Sequence, residues 1–148
     1  MKKKRTVHEV AFRLSYDLST QIAPKLSKLD TKPAPLQLRA MRQIWNSGEC
    51  TLLEISKTLK RDKSQITRLI DELCATDMVK REPNPKDKRS KLLKLTAKGY
   101  EFFETIEKIE AEFSAQLIEG IPQEDLDTFF AVSERLSYNL REKVKPYN

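Results

Sequence analysis

The chain of 148 residues is long enough for about one domain with a modest core, and with 39% hydrophobic residues, 34% charged residues and three glycines it suits a helical protein better than a turn-rich sheet. No stretch approaches the roughly 18 consecutive apolar residues that a membrane span requires. The formal net charge of +6 is unevenly placed: residues 1–50 and 51–98 each carry +6, and residues 99–148 carry −6.

Taken in chain order, Val7, Ala11, Leu14, Leu18, Ile22, Leu26 and Leu29 recur at spacings of three and four and predict one amphipathic helix. The basic start Met1–Arg5 resembles the opening of a signal peptide, but His8, Glu9, Arg13 and Asp17 interrupt any apolar run behind it. Pro33 and Pro35 close a linker, and Leu36–Trp45 reads as a second, short helix ended near Gly48. Thr51-Leu52-Leu53-Glu54 has the spacing of a capping box, in which the Thr hydroxyl and the Glu carboxylate each satisfy a free backbone N–H. A third helix therefore starts there and runs to about Leu59. Asp62-Lys63-Ser64-Gln65 repeats the pattern, with Asp62 as cap and Gln65 reaching back. The helix behind it places Ile66, Leu69, Ile70 and Leu73 on one buried stripe. Two short helices separated by Lys60-Arg61 must cross sharply, which is the helix-turn-helix arrangement.

After Met78 the period changes. Val79–Glu82 and Lys91–Leu95 are strand-like and flank Pro83-Asn84-Pro85-Lys86-Asp87-Lys88-Arg89, a run of turn formers and charge, so a two-stranded hairpin with a basic tip is expected. Thr96 caps a further helix carrying Phe102, Phe103, Ile106, Ile109, Phe113 and Leu117 on one side. A last helix begins near Pro122, its Glu124, Asp125 and Asp127 suited to the positive end of the helix dipole, with Leu126, Phe129, Phe130, Leu136 and Leu140 as its apolar face. The fold class expected is mainly α with a small β-wing: a winged helix-turn-helix at residues 34–96 plus a helical dimerisation region built from residues 1–33 and 97–148. A single small subunit would struggle to bury three long apolar stripes, and a twofold homodimer solves this.

The segment Lys80–Lys98 holds eight basic and two acidic residues, the kind of cluster that a phosphate backbone favours through counterion release. In helix-turn-helix proteins the second helix enters the major groove of double-stranded DNA. With the 66/69/70/73 stripe inward, Ser64, Thr67, Arg68 and Asp71 point outward and Gln65 sits on the flank. Arg68 is then the candidate for bidentate guanine contact, Gln65 for adenine and the Thr67 methyl for thymine, while Lys63 suits a phosphate. On the wing, Arg89 is the candidate for the minor groove, Asp87 its support through a charge-assisted bond, and Lys86, Lys88 and Lys91 the phosphate contacts.

Leu52-Leu53-Glu54-Ile55-Ser56, the run Asp62 to Leu73, Val79-Lys80-Arg81, Asp87-Lys88-Arg89 and Leu95-Thr96-Ala97-Lys98-Gly99 together resemble the MarR (multiple-antibiotic-resistance regulator) family of transcription factors. The resemblance extends over nearly the whole chain. It implies a winged helix joined to a helical dimerisation region, with base contacts from Ser64, Gln65, Thr67 and Arg68 and a wing arginine at Arg89. It also implies a repressor released by a small anionic or phenolic effector, or by thiol oxidation. Asp77 stands where the family usually has Gly, so a left-handed Asp is expected. Lys60 stands where the turn often has Gly.

Tyr16, Arg42 and Trp45 are candidates for an effector pocket, a cation beside aromatic rings. Cys50 adjoins a helix start, which can lower a thiol pKa, whereas Cys74 extends the apolar stripe and should be inert. Two cysteines without CxxC spacing agree with a reducing, cytoplasmic setting. His8, the only histidine, has no partner at metal-ligand spacing, and no cofactor is implied. No P-loop, GxGxxG, nucleophile elbow or available base points to an enzyme. The competing reading is a helical adaptor or antirepressor that keeps the winged helix for protein contacts.

Overall fold

A computed structural model describes residues 5–145, so the basic start up to Lys4 lies outside the described residues. The chain divides into two compact units at the Ala111–Glu112 boundary. The first begins with α1 (Val7–Leu26), whose start is closed by a capping box between Thr6 and Glu9. α1 stops at Leu26, short of Leu29, where the Ser27 N–H makes the last helical bond to Ala23. α2 (Pro35–Ser47) ends at Gly48, whose φ of 73° is open to glycine without strain. Then follow β1 (Cys50–Thr51), α3 (Leu52–Leu59), α4 (Lys63–Ala75), β2 (Val79–Pro83), β3 (Lys91–Leu95) and α5 (Ala97–Leu117).

The hairpin is therefore part of a three-stranded antiparallel sheet in the order β1-β3-β2. β2 pairs with β3 from Val79↔Leu95 to Pro83↔Lys91, and β1 adds Cys50↔Leu93 and Thr51↔Leu92 on the other side. Two-residue β1 was not expected from the sequence. It ties the entry of the helix-turn-helix to the wing.

The core lies where these elements meet. Ala40, Met41 and Ile44 of α2, Ile55 and Leu59 of α3, and Ile66, Leu69, Ile70 and Leu73 of α4 pack with Met78, Val79, Leu93 and Phe103. The stripe predicted for α4 is buried throughout. Gly99, in the first turn of α5, is held by a close approach: a Cβ there would stand 2.0 Å from the Met78 carbonyl oxygen. Around that contact the Thr96 N–H donates to Met78 O at 3.1 Å, the Thr96 hydroxyl donates to Asp77 O and accepts from Gly99 N–H. The Leu-Thr-x-x-Gly motif is thus a helix start that fits only without a side chain at its fifth position.

α1 contains no buried residue, and Val7, Phe12 and Tyr16 on it are exposed. In the second unit, the end of α5 leads to α6 (Gln123–Glu142), which also has no buried residue and exposes Phe129, Phe130, Leu136 and Leu140. None of the described helices is long and apolar enough to cross a membrane.

Candidate nucleic-acid interface

Local chemistry explains both helices of the helix-turn-helix. At α3, the Thr51 hydroxyl accepts from Glu54 N–H at 3.3 Å and the Glu54 carboxylate accepts from Thr51 N–H at 2.6 Å, the capping box read from the sequence. Lys60 ends α3 in the left-handed region (φ 50°), so a lysine takes the conformation that glycine holds at many helix ends. The Ser56 hydroxyl secures the turn by donating to Arg61 O at 2.6 Å. At α4, Asp62 caps by accepting from Gln65 N–H at 2.9 Å. Among the described residues the Gln65 side chain forms no return bond to the Asp62 N–H and is exposed, while the Ser64 hydroxyl donates to Asp62 Oδ1 at 2.6 Å. That bond and the Gln65 N–H hold the Asp62 carboxyl below the usual range.

The outer face of α4 is as predicted. Ser64, Arg68 and Asp71 are exposed, and Thr67 is half-buried with its hydroxyl donating to Lys63 O at 2.8 Å, which turns its methyl away from that bond. Two of these side chains are already partnered. Asp71 accepts from Arg81 of β2 at 2.6 Å, and Arg68 Nε donates to Glu72 Oε1 at 3.3 Å.

The wing tip is a preorganised turn. Asp87 bonds Arg89 through its backbone, Oδ1 accepting from Arg89 N–H at 2.9 Å. Asn84, expected only as a turn former, and Ser90, not expected from the sequence, brace the tip: Asn84 Nδ2 donates to Ser90 Oγ at 2.8 Å, and Asn84 Oδ1 accepts from Lys86 N–H at 3.0 Å. Asn and Asp in such a run signal local turns of this kind, although the crossing bond to Ser90 needs the folded hairpin.

Ion pairing sorts the basic run. Lys94 bridges Glu82 at 2.8 Å and Glu49 at 3.1 Å, and Lys80 reaches Glu82 at 2.9 Å. These bonds lower the Glu82 pKa and raise that of Lys94. Arg81 is held by Asp71, and Lys98 Nζ donates to Thr76 O at 3.0 Å. Among the described residues Lys86, Lys88, Arg89 and Lys91 form no ion pair, so the wing's free cations are the four nominated from the sequence. An open groove of about 500 Å³ brings Lys63 and Thr67 of α4 together with Asp87, Arg89 and Lys91 of the wing. Lys63, Ser64, Thr67, Arg68 and Asp71 line a second depression on the outer face of α4. Lys86, Lys88 and Gln65 stand outside both, exposed.

The effector-pocket candidates fare differently. Arg42 is engaged by Glu107 at 2.9 Å and Glu110 at 2.6 Å and lies 5.1 Å from the Phe103 ring centre, so it is a paired cation. Trp45 packs against Tyr100 and Phe103 at 4.6 and 5.4 Å, and Tyr16 stands exposed on α1 outside that cluster. A separate cavity lies elsewhere. About 240 Å³ in volume, it is lined by Leu26, Leu29, Leu38, Phe102 and Ile106, with Lys32 as its single charged side chain. Cys50 is a correction: it is 4% exposed, and burial, followed by the nearby Glu54 carboxylate, pushes its thiol up to about 12. Its position beside a helix start does not activate it. The half-buried Cys74 thiol is also raised, chiefly by burial. Among the described residues no group of His, Cys, Asp and Glu is arranged to hold a metal ion.

Residues 35–91 match the model of the MarR family. The Multiple antibiotic resistance protein MarR of Escherichia coli (strain K12) is 39% identical over 74 residues, a stretch that spans 50% of this chain and 50% of that protein. The HTH-type transcriptional regulator YkoM of Bacillus subtilis (strain 168), itself uncharacterized, is 28% identical over 101 residues, 68% of this chain and 66% of that one. In fold, the chain is similar to a mutant MarR from E. coli complexed with operator DNA (TM-score 0.71, 24% identity, 88% of this chain and 92% of that one). It is likewise similar to MepR of S. aureus in its DNA complex (TM-score 0.73, 19% identity, 93% and 99%). The matched segment takes in the paired helices α3 and α4 and reaches the start of β3: over residues 35–91 the chain is similar to the MarR family, and in fold it resembles the solved winged-helix structures of that name.

Proposed function

We propose that the protein is a sequence-specific DNA-binding transcription regulator, a repressor that binds a pseudo-palindromic operator as a homodimer and leaves it when a small anionic or phenolic molecule binds. The observation that carries this reading is the groove shared by α4 and the wing, where the exposed polar face of a capped helix adjoins the cations Arg89 and Lys91, which form no ion pair among the described residues. α4 reads base edges through Ser64, Gln65, Thr67 and Arg68, Arg89 enters the minor groove, and Lys63, Lys86, Lys88 and Lys91 take phosphates. The fold shared with the Multiple Antibiotic Resistance Repressor supports the sense of regulation. The exposed apolar faces of α1 and α6 support dimerisation through residues 1–33 and 97–148, a second copy covering what one subunit leaves to water. For the effector, the cavity beside Lys32, about 240 Å³, is smaller than ligand clefts of about 300 Å³ and upward, and has room for no more than a single-ring anion.

The test is selection of bound duplexes from a random DNA pool at about 150 mM salt, with wild type and Arg89→Ala side by side. An inverted repeat enriched by the wild type, and bound about 1–3 kcal/mol more weakly by the variant, is the expected result. Enrichment of nothing, with binding that fades steeply as salt rises, would put the adaptor reading ahead.

A further inference from the structure

Arg68 is the α4 side chain best suited to read a guanine, yet it is 85% exposed, and a long exposed side chain has many rotamers to lose on binding. Its one intramolecular partner among the described residues, Glu72, is not free either. Gln37 Nε2 donates to Glu72 Oε2 at 2.9 Å, while Arg68 Nε donates to the other oxygen, Oε1, at 3.3 Å. Gln37 is itself anchored: its Oε1 accepts from the Ala34 N–H at 2.9 Å, at the first turn of α2. A row of bonds thus runs from the α2 start through Gln37 and Glu72 to Arg68, across 35 residues of sequence at the Gln37–Glu72 step.

We infer that Glu72 is a positioning residue for base recognition, and that the bonds from Ala34 through Gln37 and Glu72 preset the Arg68 guanidinium for an end-on contact with guanine. With Nε occupied by Glu72, both Nη groups remain for guanine O6 and N7, the bidentate pair that discriminates most strongly in the major groove. As a contribution to folding stability an exposed pair at this spacing is weak. Its value is in aim, since the carboxylate is held from behind before DNA arrives. This inference rests on the DNA-binding reading and names what sharpens it.

A carboxylate on a DNA-facing helix also repels phosphate. Removing it strengthens binding to every duplex, which separates aim from simple charge. The experiment measures wild type, Glu72→Ala, Gln37→Ala, Arg68→Ala and the Arg68→Ala pairings on two duplexes: the selected operator, and one in which the guanine whose preference Arg68→Ala abolishes is replaced. Thermal midpoints check that each variant folds. In Glu72→Ala the ratio of affinities for the two duplexes should fall roughly 3–10-fold, part of the factor that a bidentate contact supplies, while absolute affinity for both rises. Gln37→Ala, which changes no charge, should lower the same ratio without altering the salt dependence. In the Arg68→Ala background neither substitution should move it. An unchanged ratio in both single variants of a wild type that does discriminate overturns the positioning role alone. A wild type without any base preference overturns the DNA-binding reading as well, and is seen before any variant is compared.

Discussion

Gly99→Ala sets two effects of opposite sign against each other, and the structure decides between them. Within a helix, replacing glycine by alanine gains up to about 1 kcal/mol from backbone entropy. Here the new Cβ would sit 2.0 Å from Met78 O, 2.9 Å from Met78 C and 3.3 Å from Met78 Cα, all backbone atoms that no rotamer change can move. Relief requires α5 to retreat by more than an ångström. That strains the Thr96–Met78, Thr96–Asp77 and Gly99–Thr96 bonds, each worth about 1 kcal/mol net. Overpacking adds about 1–3 kcal/mol. The net expectation is destabilisation of about 2–4 kcal/mol, or roughly 6–15 °C in thermal midpoint for a chain of this size. Urea unfolding followed by circular dichroism measures it. Gly48→Ala is the control: its φ is 73° but nothing lies within 4 Å of the added Cβ, so only the left-handed penalty of about 1 kcal/mol applies. A Gly99→Ala variant as stable as the wild type, or more so, would refute the close-contact account of the motif.

Asp62 tests the helix cap through pH. Its pKa is lowered in the folded chain, so the stability it adds is present above its unfolded value and is lost as pH falls through the folded one; in Asp62→Asn that acid-side loss should disappear from chemical denaturation curves. Cys50, with a thiol raised to about 12, should resist alkylation at pH 8 in the native protein and react at the rate of unfolding; labelling as fast as that of a small free thiol would contradict its burial. The thiol's contribution to stability is present below its unfolded value of 9.0 and is lost as pH rises toward 12. For the proposed dimer, Leu140→Glu on the exposed face of α6 should lower the sedimentation coefficient to that of one chain, and a variant that still sediments as the wild type does would count against that face.

The features legible in the sequence are those whose physics is local. Thr51 and Glu54 are three residues apart, and the bonds that start α3 need nothing beyond them. The buried stripe of α4 is a period, and the wing tip is a run of residues that favour turns whatever surrounds them. Resemblance added the left-handed Asp77, which has φ 58°. The rest depended on neighbours distant in sequence. β1 is two residues long, too short for any period, and exists because Cys50 and Thr51 meet Leu93 and Leu92. Arg42 finds its acids 65 and 68 residues away, which is why it reads as a free cation from sequence and proves to be a paired one. Cys50 sits beside a helix start, but the tertiary core around it, not the helix, governs its thiol. The Asp62 cap is braced by the Ser64 hydroxyl rather than by a reciprocal bond from Gln65, a choice that residue spacing alone did not show. The sequence by itself determined the caps, the stripe and the basic tip, since these act within a few residues. Only the tertiary structure decided which cations are free, which thiol is reachable and what holds Arg68, because each depends on which distant side chains the fold brings within a few ångströms.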